Sequence, residues 1–190
     1  MNSVSGFVTS SLRCTAGSGV YSGMRSTISP SLGMNLTLGC GQSVPHSTRS
    51  GALSIRRLAN GTESWNGAPA GTQSYALTVY DPDAPTGSGW WHWVAINIPA
   101  TANSLVKGAG TADGKAMPAG SQQVRTDFGA FGFGGACPPV GDKPHRYIFT
   151  LYALKVPKLE VAADSTAALA GFMIHGNMLA QTSFTAYYGR

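Results

Sequence analysis

Charge is scarce in this chain of 190 residues. Asp, Glu, Lys and Arg make up 11%, against about 25% in an average globular protein. No four basic residues run together, and aromatics are not interleaved with the basic ones. This argues against a nucleic-acid-binding surface, although the formal net charge is +5. Much of that charge sits early, in Arg13, Arg25, Arg49, Arg56 and Arg57, with Glu63 the sole acid of the first 80 residues. Cysteine is also sparse. Cys14, Cys40 and Cys137 are too far apart for a CxxC redox site or a zinc ribbon. No apolar run reaches the roughly 18 residues of a membrane-spanning helix, and no period of about 20–50 residues repeats. The N-terminus shows no basic start followed by an apolar stretch, so no secretory signal is visible. Catalytic signatures are missing too: there is no GxSxG elbow, no HExxH and no HxH.

What is present is glycine, 25 residues of it, within a composition that is 43% hydrophobic. Many tight turns and a sizeable core follow, and with them a mainly β fold. Residues 1–64 are rich in Ser, Thr, Gly and Arg and hold only weak strand patterns, at Asn35–Gly39 and Gly51–Leu58. From Trp65 the patterning strengthens. Tyr75, Leu77 and Val79 alternate with Ala76, Thr78 and Tyr80, a half-buried strand ending at Asp81. Trp90–Ile98 is a second strand, in which strict alternation puts His92 on the apolar face of Val94, Ile96 and Ile98. A third starts at His145, with His145, Tyr147, Phe149 and Leu151 on one face. Residues 100–126 read as polar loops, and Asp127–Pro144 as a long Gly/Pro-rich loop of the kind that carries function. One helix is predicted over 164–180, capped by Asp164 or Ser165 and packing through Leu169, Phe172, Met173 and Leu179. A short strand closes the chain at Ser183–Arg190.

If the three strong strands share a sheet, Asp81, Asp83, His92, His145 and Tyr147 converge at one end of it. Three chemistries fit such a set. Two histidines and a carboxylate, from Asp81, His92 and His145, can hold a metal. Cys137 with His145 can form a hydrolase pair, although Pro138 and Pro139 remove two N–H groups that would help an oxyanion hole. Imidazoles, a phenol and the N–H groups of a Gly-rich loop can bind an anion, with Asp81 orienting a histidine. The last asks least of the sequence.

Four separated stretches carry a resemblance: DPDAP (Asp81–Pro85), WWHW (Trp90–Trp93), GGACPPVGDKPHRY (Gly134–Tyr147) and the closing YYGR. Together they resemble the phosphatidylethanolamine-binding protein family, in its bacterial, Raf kinase inhibitor-like branch. The likeness covers about Trp65–Arg190. It implies one domain, 65–190, preceded by a divergent segment, 1–64. The implied fold is a two-sheet antiparallel β-sandwich-like core with a C-terminal helix beside an anion pocket. The ligand-binding residues it implies are Asp81, Asp83, Pro85, Trp90, His92, Gly135, Pro138, Pro139, His145 and Tyr147. It implies no catalytic activity and no cofactor. The partners are a small anion such as phosphate or phosphoethanolamine, a protein kinase or protease, and a second copy in a homodimer. It implies a disulfide between Cys40 and Cys137 and a periplasmic or secreted location, with the cytoplasm as the alternative. Gly41–Ser64 departs from the family pattern, as a divergent insert or a shifted reading frame would.

Overall fold

The computed structural model describes residues 52–190. Asn35–Gly39, Cys14 and Cys40 lie outside the described residues. Eight strands and one helix follow in the order β1 (Ser54–Arg57), β2 (Glu63–Asn66), β3 (Ser74–Asp81), β4 (Trp90–Pro99), β5 (Ser104–Leu105), β6 (Gln122–Gln123), β7 (His145–Leu154), α1 (Ala167–Asn177) and β8 (Met178–Tyr188). All strand pairings are antiparallel. They build a three-stranded sheet, β1-β2-β5, and a five-stranded sheet, β6-β4-β3-β7-β8. This is the mainly β fold expected from composition and the two-sheet architecture that the family resemblance implies.

The main core lies between the sheets. Leu77, Val79, Trp93, Phe149 and Leu151 from the large sheet meet Trp65 and Leu105 from the small one and Leu53 just before it. Each aliphatic chain so buried contributes about 1.5–3 kcal/mol. The packed core therefore reaches upstream of Trp65, to Leu53.

Glu63 is the exception in this layer. It is buried beside Leu105, its cross-strand neighbour, and ion-paired to Arg57 at 3.2 Å. Burial pushes its carboxyl above the usual range, against the pull of Arg57. A raised folded-state pKa means stability is fully present below the unfolded value and falls as pH rises through the folded one. Glu63→Gln should therefore gain on wild type as pH rises, with the gap in urea midpoint wider at pH 7.5 than at pH 4.5. Equal gaps at both would count against the shift.

A second core covers the opposite face of the large sheet, where Ala167, Ala170 and Ile174 of α1 pack on Ala76, Val94, Ile96 and Tyr152. Here the sequence expectations need correction. The cap is Thr166, whose hydroxyl accepts from Leu169 N at 3.1 Å, not Asp164 or Ser165. Leu169, Phe172 and Leu179 are exposed rather than buried. The helix is apolar on nearly every side, so pattern alone does not choose its face. The small side chains win because they let the helix backbone settle close to the sheet. The helix also ends earlier than predicted. Asn177 closes it, and Met178 passes directly into an eleven-residue edge strand. Because α1 covers this outer face near Tyr152 and Leu154, it is not beside Asp81, His145 and Tyr147, which face the other sheet.

Strand β4 carries two bulges, which strict alternation misses. Between Tyr80↔Trp91 and Val79↔Trp93 the residue His92 is extra, and between Leu77↔Ala95 and Tyr75↔Ile98 the register slips again. Val94 and Ile96 therefore face the helix, while Trp93, Ala95 and Ile98 face the small sheet. The second bulge is stabilised by Asn97, in the left-handed region at φ 58°. Its buried amide accepts from Leu159 N at 2.7 Å and donates to Leu159 O at 3.3 Å. Asn tolerates this φ better than most residues. Asn97→Ala should cost about 2–3 kcal/mol, since it strains the backbone and leaves Leu159 N–H buried and unpaired. Asn97→Gly should recover the backbone share alone. Denaturant melts of the two variants separate these terms.

Candidate functional site

The DPDA turn at the end of β3 explains why Asp81 is held so firmly. Pro82 presets the turn and offers no N–H. The Asp81 Oδ1 atom then accepts from Asp83 N at 2.8 Å and Ala84 N at 3.1 Å, an Asx-type turn. This leaves Oδ2, which accepts from His145 Nδ1 at 2.8 Å. The pair is buried, with Asp81 2% and His145 4% exposed. Asp142 Oδ2 lies 3.5 Å from the other nitrogen of His145.

The β4 bulge brings His92 to the same place. An added residue in one strand turns a side chain away from strict alternation. His92 therefore faces Tyr147 and Asp81, and not, as the alternation predicted, the side of Val94 and Ile96. Its Nδ1 is 2.7 Å from Gly135 O. A carbonyl only accepts, so Nδ1 carries the proton. Its Nε2 lies 3.7 Å from Asp81 Oδ2, too long for a direct hydrogen bond. Burial holds the imidazole below the ordinary histidine range, against the opposing effects of the Gly135 carbonyl and Asp81. The Tyr147 phenol is pushed up from its ordinary value, first by burial and then by Asp81, with the Cys137 backbone opposing.

Four rings pack edge to face in a chain. Trp90 meets Phe128 at 5.4 Å, Phe128 meets His92 at 5.3 Å, and His92 meets Tyr147 at 5.0 Å. Polar atoms of three of them, Trp90 Nε1, His92 Nε2 and the Tyr147 hydroxyl, are buried without a hydrogen-bond partner of good geometry. Buried polar groups are nearly always paired. Among the described residues only two other side-chain atoms share this state, Trp65 Nε1 and Ser121 Oγ. Three of five in one ring chain is a concentration that a ligand would explain.

The loop supplies the remaining wall. Gly134 N donates to His92 O at 3.0 Å, and a Cβ there would sit 2.4 Å from the Phe128 ring. Gly135, at φ +80°, occupies a backbone region that other residues adopt only under strain. Pro138 is buried, and its carbonyl accepts from Arg190 Nε at 2.7 Å. Cys137 is held in a disulfide whose partner lies outside the described residues. It therefore does not present the thiolate that a Cys137–His145 hydrolase needs. Among the described residues no cluster of three or more His, Cys, Asp or Glu is arranged to hold a metal.

Thus Asp81, Trp90, His92, Gly135, His145 and Tyr147 come together, while Pro138 is buried against Arg190. Asp83, Pro85 and Pro139 lie on the surface. Both Asp83 oxygens are engaged by Arg146, at 2.7 and 2.9 Å, which holds that carboxyl down at about 2. Sequence reasoning missed Phe128, the ring that links Trp90 to His92. It also missed Asp127, whose carboxylate accepts from Trp91 N at 2.8 Å and anchors the loop to β4. The one hint was position, since Asp127 and Phe128 open the Gly-rich loop.

The fold and cluster define a class: a two-sheet sandwich with a buried acid–imidazole–phenol group at the ends of three neighbouring strands. The chain belongs to the phosphatidylethanolamine-binding protein family, whose model matches residues 41–189. The match includes residues 41–64, which the motif likeness had left out. The chain is 55% identical to the UPF0098 protein YbcL of Escherichia coli K12 over 66% of its own length and 68% of that protein's. It is 50% identical to YbhB of the same organism, over 66% and 78%. The crystal structure of E. coli YbcL, described as a member of the mammalian PEBP family, superposes with a TM-score of 0.66. That match is at 53% identity and covers 68% of this chain and 79% of that one. No helix among the described residues is long and apolar enough to cross a membrane.

Proposed function

We propose that this chain is a non-enzymatic receptor for a small oxyanion, phosphate or a phosphoethanolamine head group, held between His92, Tyr147 and the Asp81–His145 pair. The observation that carries this is the set of buried, unpartnered polar atoms on Trp90, His92 and Tyr147. Such atoms cost stability when left unmet; the Trp90 and Tyr147 donors suit an anion's oxygens, and His92 Nε2 suits a ligand O–H or, once protonated, a further oxygen. The Gly-rich loop adds backbone, and the aromatic rings exclude water, which strengthens each polar contact. The absence of a GxSxG elbow and the oxidised state of Cys137 support a binding role over hydrolysis. The disulfide favours an oxidising compartment, hence the periplasm or the exterior. Modulation of a protein kinase or protease through the pocket rim stands second, because no described residue argues for a particular partner.

Titration with phosphate or phosphoethanolamine, read from the ring resonances of His92 and His145, tests the reading. Both sets should shift saturably. His92→Ala should weaken binding roughly tenfold, the share of one buried polar contact, while the domain remains folded. Unmoved imidazole resonances would overturn it.

A further inference from the structure

The arginine of the stretch YYGR lies close to the site, and the register of β8 on β7 explains why. Tyr188 pairs with His145. Gly189 therefore lies against Pro144, where an added Cβ would stand 3.3 Å from the proline ring. Arg190 then meets the Pro138–Asp142 turn twice. Its Nε donates to Pro138 O at 2.7 Å, and its main-chain oxygen accepts from Gly141 N at 3.2 Å. This grip fixes the guanidinium beside the turn that walls the site. It uses Nε and leaves the Nη groups for a ligand.

An anion at this site needs a cation nearby. The carboxylates of Asp81 and Asp142 flank His145, at 2.8 and 3.5 Å from its two nitrogens. They repel a second negative charge unless a positive one offsets them. Three basic side chains stand around the site. Arg146 is neutralised, because Asp83 takes its Nε and Nη2. Lys143 is exposed, on a long flexible stem. Arg190 is held in place. Its charge acts on the Tyr147 phenol in the sense that favours negative charge at that oxygen, against burial and Asp81. A ligand oxygen seated at the phenol feels the same field.

We propose that Arg190 supplies the positive charge of the ligand site. This rests on the receptor reading above and adds to it a residue from outside the buried cluster. Arg190 draws an anion to the mouth of the site and offsets Asp81 and Asp142 once the anion is bound. Pro138 O and Gly141 N keep the guanidinium where this charge is needed. Because Arg190 is exposed, water and salt screen it. Its share is that of a surface charge pair rather than a buried one.

The test is calorimetric titration of the full chain with inorganic phosphate, in low and in high sodium chloride, for wild type and three variants. Arg190→Gln keeps a side-chain N–H for Pro138 O and removes the charge. It should bind phosphate about fivefold more weakly at low salt, with Tm unchanged. Its affinity should also vary less with salt than that of wild type. Arg190→Lys keeps the charge and a donor, and should recover most of the affinity and of the salt response. Lys143→Gln removes an exposed charge from the same turn and should change affinity less than Arg190→Gln. Arg190→Gln binding as wild type does at low salt would overturn the assignment, and so would an equal loss in Lys143→Gln. Gln and Lys variants equally weak, with the salt response of wild type, would overturn it too, since they would mark a clamp without an electrostatic role. Each of these results leaves the receptor reading intact. A wild-type chain that binds no phosphate at either salt concentration would overturn the receptor reading itself, and the assignment with it.

Discussion

Asp81→Ala is expected to lower the free energy of unfolding by about 3–5 kcal/mol, the cost of leaving several buried donors without their acceptor. The carboxylate satisfies three donors at once: Asp83 N, Ala84 N and His145 Nδ1. Alanine leaves two turn amides and one imidazole without an acceptor, all at least partly out of water. Asp81→Asn keeps an oxygen for the amides and sets its own N–H against His145. Its loss should be smaller, roughly 1–2 kcal/mol. Urea denaturation followed by tryptophan fluorescence reads both. An alanine variant as stable as wild type would mean that water replaces the carboxylate freely, and the pair would then have no structural role. The ranking also matters for binding work, because Asp81→Asn is the variant whose fold survives to be titrated.

The convergence of Asp81, His145 and Tyr147 was legible because β3 and β7 run without a bulge between them. Tyr80 pairs with Ile148 and Thr78 with Thr150 in unbroken register, so alternation puts odd positions of both strands on the same face. His92 was found for a partly wrong reason. Its burial follows from either face, but its direction depends on the one extra residue at the bulge. A bulge changes neither composition nor hydrophobic content, so a period-two pattern does not reveal it. The helix face failed differently. When Leu169, Phe172, Ala170 and Ile174 all compete, the outcome depends on how near the sheet lies, and that is a property of β4 and β7 rather than of the helix. Phe128 was not legible because its role is a contact across 36 residues, with His92, and nothing local marks it.

Structure and site share one device. The bulge at His92, the Asx turn at Asp81 and the Gly134–Gly135 step each give up regular pairing to aim a polar group inward. Local rules broken together at one end of a sheet are where function is usually carried. The other end has irregularities of its own, at Asn97 and between Ala153 and Leu154, but its polar groups are satisfied within the protein, with Ser74 Oγ and Gln73 Nε2 donating to the carbonyls of Val156 and Lys155.

Reducing the disulfide of Cys137 should be the second large effect. A native disulfide in a small domain contributes typically 2–5 kcal/mol, which at this size corresponds to a fall in Tm of at least about 5 °C. Dithiothreitol supplies the two electrons and two protons that convert the bond to two thiols. The loss should not be confined to global stability. Cys137 stands between Gly135, whose carbonyl fixes the His92 tautomer, and Pro138, whose carbonyl is held by Arg190. Its own backbone lies beside the Tyr147 phenol. Slackening this turn should shift the His92 and Tyr147 ring resonances and weaken phosphate binding before the domain unfolds. Cys137→Ser should show the same lowered Tm and no further response to dithiothreitol. Cys40→Ser should match it if Cys40 is the partner that the family resemblance implies, whereas Cys14→Ser should behave as wild type. A wild-type chain that gains two titratable thiols under dithiothreitol and keeps both its Tm and its phosphate affinity would show that the bond neither stabilises the fold nor shapes the wall.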